Sequence, residues 1–79
     1  MKVRVKLYAT LAGRVASARP GKPFEVELPP AADVEALLER LELPGDLVRT
    51  VFVNGRSRPM DWSLSDGDEV GLFPPVGGG

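Results

Sequence analysis

Val3, Val5 and Leu7 alternate with Lys2, Arg4, Lys6 and Tyr8. A repeat of two sends successive side chains to opposite faces, so this stretch is predicted as a β-strand with one dry and one wet face. Gly13, Ser17, Pro20, Gly21 and Pro23 break the pattern and predict a loop over residues 13–23. Alternation resumes with Phe24, Val26 and Leu28 against Glu25 and Glu27, a second half-buried strand that Pro29 and Pro30 end. Paired antiparallel, the two strands would set basic residues of one opposite acids of the other.

The period then changes. Val34, Leu37, Leu38 and Leu41 stand at i, i+3, i+4 and i+7, one apolar stripe of a helix, with Glu35, Glu39, Arg40 and Glu42 on its other face. Asp33 is a suitable N-cap, and Pro44 with Gly45 is the expected stop. Val48, Val51 and Val53, with Phe52, predict a third strand that ends at the tight-turn pair Asn54-Gly55. Residues 56–59 allow a brief return before Pro59, Asp66-Gly67-Asp68 is a second turn, and Val70 and Leu72 share one face of a last strand. The parity of these elements predicts a core of Val3, Val5, Leu7, Phe24, Val26, Leu28, Val34, Leu37, Leu38, Leu41, Val51, Val53, Val70 and Leu72.

A helix with one apolar stripe has only the sheet to bury it against. The order strand, strand, helix, strand, short strand, strand therefore predicts an α+β fold, a mixed sheet packed on one main helix. That is the β-grasp, or ubiquitin-like, arrangement, in which the first and last strands lie side by side and parallel. Residues 1–73 would form the domain and residues 74–79 a flexible C-terminal Gly-Gly tail.

Composition narrows the chemistry. At 79 residues there is room for one small core. The chain has no Cys and no His, so thiolate nucleophiles, disulfides, the commonest general base and the commonest metal ligand are all missing. A net charge of -1 argues against a nucleic-acid partner, and no apolar run approaches a membrane span. With no disulfide and no signal-peptide pattern, a cytoplasmic location is expected. Charge is unevenly spread: residues 1–22 carry six basic residues and no acid, and residues 23–47 carry seven acids against Arg40 alone. Such blocks mainly solvate surfaces that complement each other, with partner steering as the alternative.

Candidate sites are few. Asp66, Asp68 and Glu69 lack the spacing of a calcium loop and read as turn carboxylates. Thr10, Thr50, Ser57, Ser63 and Ser65 have no histidine to activate them. Trp62 beside Met60 reads as a cap on the core edge. The glycines at the end lack the Lys and following helix of a phosphate loop. The C-terminus is the unusual feature. Pro74 and Pro75 stiffen the exit from the last strand, and Gly77, Gly78 and Gly79 finish the chain without side chains. The six residues after Phe73 can reach about 20 Å when extended, enough to thread a terminal carboxylate into another protein. A frayed end is the plain alternative. At the root of the tail, parity turns Phe73 and Tyr8 to the face away from the helix, and parallel end strands would bring them together. Leu11 and Val76 are expected to extend this patch, with Arg4, Lys6 and Arg56 as steering charges.

Val51-Phe52-Val53-Asn54-Gly55, Leu64-Ser65-Asp66-Gly67-Asp68-Glu69-Val70 and Phe73-Pro74-Pro75-Val76-Gly77-Gly78-Gly79 together resemble the sulfur carriers among ubiquitin-like proteins. The likeness is greatest to the MoaD family, the small subunit of molybdopterin synthase, within the MoaD/ThiS superfamily. It extends to residues 3–11 and the helix, so it spans the chain; Ala12 stands where many relatives carry Arg. The resemblance implies a non-catalytic, sulfur-donating subunit. An adenylating enzyme of ubiquitin-activating type (MoeB-like) would use ATP on the Gly79 carboxylate, and a persulfide sulfur donor would leave a thiocarboxylate there. Gly78 would be needed for threading. The molybdopterin synthase large subunit (MoaE-like) would supply the catalytic side chains and receive Tyr8, Leu11, Phe73, Pro74, Pro75, Val76 and Gly77. No cofactor would be bound permanently, and neither nucleic acid nor membrane would be a partner. Carriers for thiamine or tRNA thiolation, a lysine-linked protein modifier and a plain interaction domain remain as alternatives.

Overall fold

A computed structural model describes residues 1–16 and 18–75. Among these, five strands and one α-helix follow in the order β1 (Lys2–Leu7), β2 (Phe24–Glu27), α1 (Val34–Arg40), β3 (Thr50–Val53), β4 (Arg56–Ser57) and β5 (Glu69–Phe73). The strands form one sheet in the order β2-β1-β5-β3-β4. β1 and β5 run parallel at its centre, and the other neighbours are antiparallel. This is the expected β-grasp arrangement.

The register follows from the alternation. Val3 pairs with Val26 and Val5 with Val70, so dry faces coincide across the sheet. Lys2 lies opposite Glu27 and Arg4 opposite Glu25, as charge patterning predicts. The ion pairs that close nevertheless run to β5: Arg4 lies 3.7 Å and Lys6 4.0 Å from the Glu69 carboxylate. Both are solvent-exposed and contribute little to stability.

α1 begins where expected. The Asp33 carboxylate accepts from the Ala36 N–H at 2.9 Å, satisfying one of the free amides of the first turn. Its end departs from expectation. Pro44 and Gly45 do not stop the helix; it ends at Arg40, and Glu42 turns the chain with a φ of 57°. The Leu43 N–H then donates to the Leu38 carbonyl at 2.9 Å and the Glu42 N–H to the Glu39 carbonyl at 3.0 Å. This paired C-terminal closure needs a left-handed residue, and Glu fills the position that Gly usually takes. Leu43 is driven inward, and Leu41, at the fraying end, is left half-buried.

The core contains twelve of the fourteen residues that parity selects, Phe24 and Leu41 being only partly buried. Leu11, Ala12, Ala32, Leu43, Val48 and Leu64 join it from connecting segments. Two short 3-10 helices account for part of this. Ala9–Arg14 occupies the start of the predicted loop and buries Leu11 and Ala12. Gly45–Leu47 delivers Val48 to the core ahead of β3, which begins at Thr50 rather than at Val48.

The Asn54-Gly55 turn has φ values of 51° and 82°, the left-handed pair a tight hairpin demands. Asn54 also ties this turn to β5. Its N–H reaches the Glu69 carbonyl at 2.8 Å, and its side-chain oxygen accepts from the Glu69 N–H at 2.9 Å. Its side-chain amide donates to Asp68 at 2.9 Å. Asp68 accepts from the Ser65 N–H at 2.7 Å, and Asp66 accepts from the Lys2 N–H at 2.8 Å. These carboxylates hold turns together, and no acidic cluster among the described residues is arranged to bind a metal.

Leu37 is fully buried, whereas Leu41 lies beyond the last helical residue. Leu37→Ala is expected to cost about 2–5 kcal/mol, and Leu41→Ala about half of that or less. Urea midpoints of the two variants, measured side by side, check the difference.

Candidate functional site

The face of the sheet turned away from α1 carries Tyr8, Phe52 and Phe73. Each is there by parity. Leu7 pairs with Leu72 in the parallel β1–β5 ladder, so the next residues, Tyr8 and Phe73, meet on the opposite face. The Tyr8 N–H donates to the Leu72 carbonyl at 3.2 Å, which extends this pairing past the end of β1. Phe73 pairs with Thr50, and its carbonyl accepts from the Arg49 N–H at 2.8 Å, so the last residue of β5 is held on its β3 side.

The rings form one cluster. Tyr8 and Phe73 stack with centroids 4.2 Å apart and planes 3° from parallel. Phe52 meets Phe73 edge-on at 5.6 Å and 80°. Offset stacking and edge-to-face contacts are the favourable geometries for such quadrupoles. Gly71 lies beneath: a Cβ built on it would sit 3.5 Å from Tyr8 and 3.6 Å from Phe73, ordinary contact distances. A longer side chain there would have to lift the rings. Lys6 and Glu69 border the cluster, giving an aromatic platform with a charged edge.

Pro74 is half-buried, and Pro75 is exposed. Both line a cleft of about 180 Å³ with Thr10, Leu11, Arg14 and Leu47. The two 3-10 helices thus form the walls against which the chain leaves the sheet.

Of the residues singled out from sequence, Tyr8, Phe73, Pro74 and Pro75 are brought together at the end of β5. Leu11 does not extend the patch. It is 1% exposed, because the first 3-10 helix turns it into the core, where it forms the floor of the proline cleft. Arg56 pairs with Val53 and so belongs to the helix side of an edge strand, away from Arg4 and Lys6. Val76, Gly77, Gly78 and Gly79 lie outside the described residues. Phe52 escaped the sequence reading as a site residue, although its parity with Val51 and Val53 already turned it outward. At 36% exposure it widens the platform across β3. Trp62 does not seal the core: it is 37% exposed under the Arg58 guanidinium, 3.9 Å from the ring centroid, while Met60 packs on the core.

A β-grasp domain with an aromatic platform where its last strand ends defines a small ubiquitin-like protein. The ThiS family matches residues 9–79, and the chain belongs to that family. No curated protein sequence matches significantly. Among solved structures, SAMP1 of Haloferax volcanii, small archaeal modifier protein 1, is 27% identical with a TM-score of 0.73 over 100% of both chains. A Pyrococcus furiosus protein designated molybdopterin converting factor, subunit 1, is 33% identical with a TM-score of 0.70, covering 96% of this chain and 99% of that one. Subunit 1 in the complex of subunits 1 and 2 of the molybdopterin-converting factor from Helicobacter pylori is 25% identical, with a TM-score of 0.61 over 100% of both chains. The family is that of the ubiquitin-like sulfur carriers, and no helix among the described residues is long and apolar enough to cross a membrane.

The stack holds a partly buried ring against Tyr8 without touching the helix-side core. Phe73→Ala is therefore expected to leave the fold intact, to lower stability by about 1–2 kcal/mol and to change the tyrosine environment. Far-UV and near-UV circular dichroism during urea unfolding separate the two effects.

Proposed function

We propose that this protein carries sulfur on its C-terminus as the small subunit of molybdopterin synthase. The observation that carries the reading is the stacked aromatic platform at the point where the Pro-Pro-Val-Gly-Gly-Gly tail leaves the sheet. An exposed apolar patch is an interface signature, and here it adjoins the one segment thin enough to enter another protein's active site. The likeness to the Pyrococcus and Helicobacter subunits supports the pathway.

The chemistry needs no side chain of this protein. A carboxylate is a poor acyl donor, because oxide is a poor leaving group. An adenylating enzyme transfers AMP from ATP to the Gly79 carboxylate and releases pyrophosphate. A persulfide on a donor protein attacks the activated carbonyl and expels AMP, leaving an acyl persulfide. A thiol then reduces the sulfur–sulfur bond, which releases a thiocarboxylate on Gly79 and a disulfide. The thiocarboxylate sulfur is the nucleophile given to the pterin precursor. The large subunit supplies the catalytic groups, and the glycines let the chain adopt whatever backbone its channel imposes. Tyr8, Phe52 and Phe73 anchor the complex; Arg4 and Lys6 act mainly on the association rate.

A second reading is supported by SAMP1, a small archaeal modifier protein that aligns over the full length of both chains. In that case the activated Gly79 carbonyl is passed to a lysine amine. Thiamine or tRNA thiolation would use the same thiocarboxylate with other acceptors.

Incubation with an adenylating enzyme, ATP and a persulfide donor is expected to exchange one oxygen for sulfur at the C-terminus, visible in the intact mass. Deleting Gly78 and Gly79 abolishes the exchange and leaves the domain folded. An unchanged wild-type mass overturns the carrier reading, and lysine-linked conjugates in place of pterin product favour the modifier. Phe73→Ala is expected to weaken binding to the large subunit by about 2 kcal/mol, read by calorimetry.

A further inference from the structure

β2 ends the sheet, and its outer side pairs with no strand among the described residues. The ladder phase fixes which backbone groups face outward. The Met1 amine donates to the Leu28 carbonyl at 2.7 Å, and the Leu28 N–H donates to the Met1 carbonyl at 2.8 Å. Bonded and non-bonded pairs alternate in an antiparallel ladder. Phe24, Val26 and Leu28 therefore direct their backbone groups to β1, and the N–H and C=O of Glu25 and Glu27 point away from it.

Beside this edge runs a groove of about 760 Å³, bounded by β2, the end of α1 and the segment after the first 3-10 helix. Half-buried Val15, Phe24 and Leu41 form its apolar wall, with exposed Arg14, Arg40 and Glu42 around it. Leu41 is partly open because α1 closes one residue before it. The other sheet edge offers no equivalent: β4 is two residues long and is followed by Pro59.

We propose that the free edge of β2 takes up an extended segment of a partner protein as an added strand. Its outward side chains are Lys or Arg, and its inward ones are apolar. Charge complementarity selects this chemistry. Glu25 and Glu27 project from the solvent face, and on their other side β1 already answers them with Arg4 and Lys2 while turning Val3 and Val5 inward. A strand on the outer edge meets the same two carboxylates and lays its apolar residues against Phe24 and Leu41. Main-chain hydrogen bonds would supply affinity and the alternating side chains selectivity. A second copy of this chain is disfavoured, because two-fold pairing of β2 with itself sets Glu25 and Glu27 against their counterparts. β1 lies between β2 and β5, so this edge stays open when the aromatic platform is covered. The proposal does not depend on the carrier chemistry.

The probe is a synthetic peptide, Lys-Val-Arg-Val-Lys-Leu, titrated into the intact protein and followed by amide NMR shifts. Its control is Glu-Val-Glu-Val-Glu-Leu. The basic peptide is expected to shift Glu25, Glu27 and Leu41, less so at high salt, and to bind about tenfold more tightly than the acidic one. The double variant Glu25→Lys, Glu27→Lys is expected to reverse that preference. Should it fail to fold, the two peptides on the native protein still decide the matter. No shifts at millimolar peptide, equal binding of both peptides, or shifts confined to Tyr8 and Phe73 overturn the proposal. Shifts centred on Val3 and Val26 would indicate exchange with β1 and overturn it as well. So would concentration-dependent dimerisation of the protein alone that perturbs Glu25 and Glu27.

Discussion

The parallel pairing of β1 with β5 is the constraint on which the rest depends. It joins the two ends of the chain at the centre of the sheet, with Leu7 opposite Leu72 in the core. Because both strands point the same way, the residue after each pair emerges at the same end and on the same face. The Tyr8–Phe73 stack is a direct outcome of that register. A slip of one residue would bury the aromatics and expose the valines, so the hydrophobic core and the outer platform select the same alignment. The tail therefore departs from the most strongly pinned part of the fold, and its starting point is fixed by the core.

Chemistry and architecture are separated in this molecule. The described residues hold ordinary turn carboxylates, exposed ion pairs and an aromatic face, and none forms a catalytic constellation. In the carrier reading, reactivity belongs to a backbone carboxylate, which every protein has. Placement and access distinguish this one. A core-anchored strand, two prolines against the 3-10 helices and a run of glycines amount to a stiff root with a slender end. In that reading the partner would contribute the electrostatics of the transition state, and this chain would contribute delivery.

Much of this was legible in the sequence because strand parity is strict. Val3 to Tyr8 and Val70 to Phe73 assign every side chain to a face, and parallel end strands then place two aromatics side by side. The same rule applied to Val51-Phe52-Val53 adds Phe52, which parity turns outward although a large apolar ring by itself favours burial. Leu11 was misplaced for a different reason. It lies in a 3-10 helix, whose period of three is too short-lived in six residues to leave a recognisable stripe. The end of α1 was equally obscure: Glu42 adopts a conformation usually reserved for glycine, so the visible signals, Pro44 and Gly45, lay beyond the real boundary. Glu25 and Glu27 read as a solvated face, and only the phase of the Met1–Leu28 hydrogen bonds shows that their backbone groups point away from β1.

The Met1–Leu28 pair also fixes the geometry of the opposite end. β1 has six residues at about 3.3 Å each, so Met1 lies about 20 Å from the aromatic platform, across the length of the sheet. The hydrogen bond from Met1 needs only an N–H, which an amide supplies as well as an ammonium. A fluorophore, affinity handle or surface tether joined at Met1 would therefore keep the β1–β2 ladder closed and leave the aromatic platform at the far end of the sheet. Under the carrier proposal, the same attachment at the C-terminus would consume the Gly79 carboxylate. For single-molecule or immobilised measurements of loading and release, the sheet itself serves as the spacer.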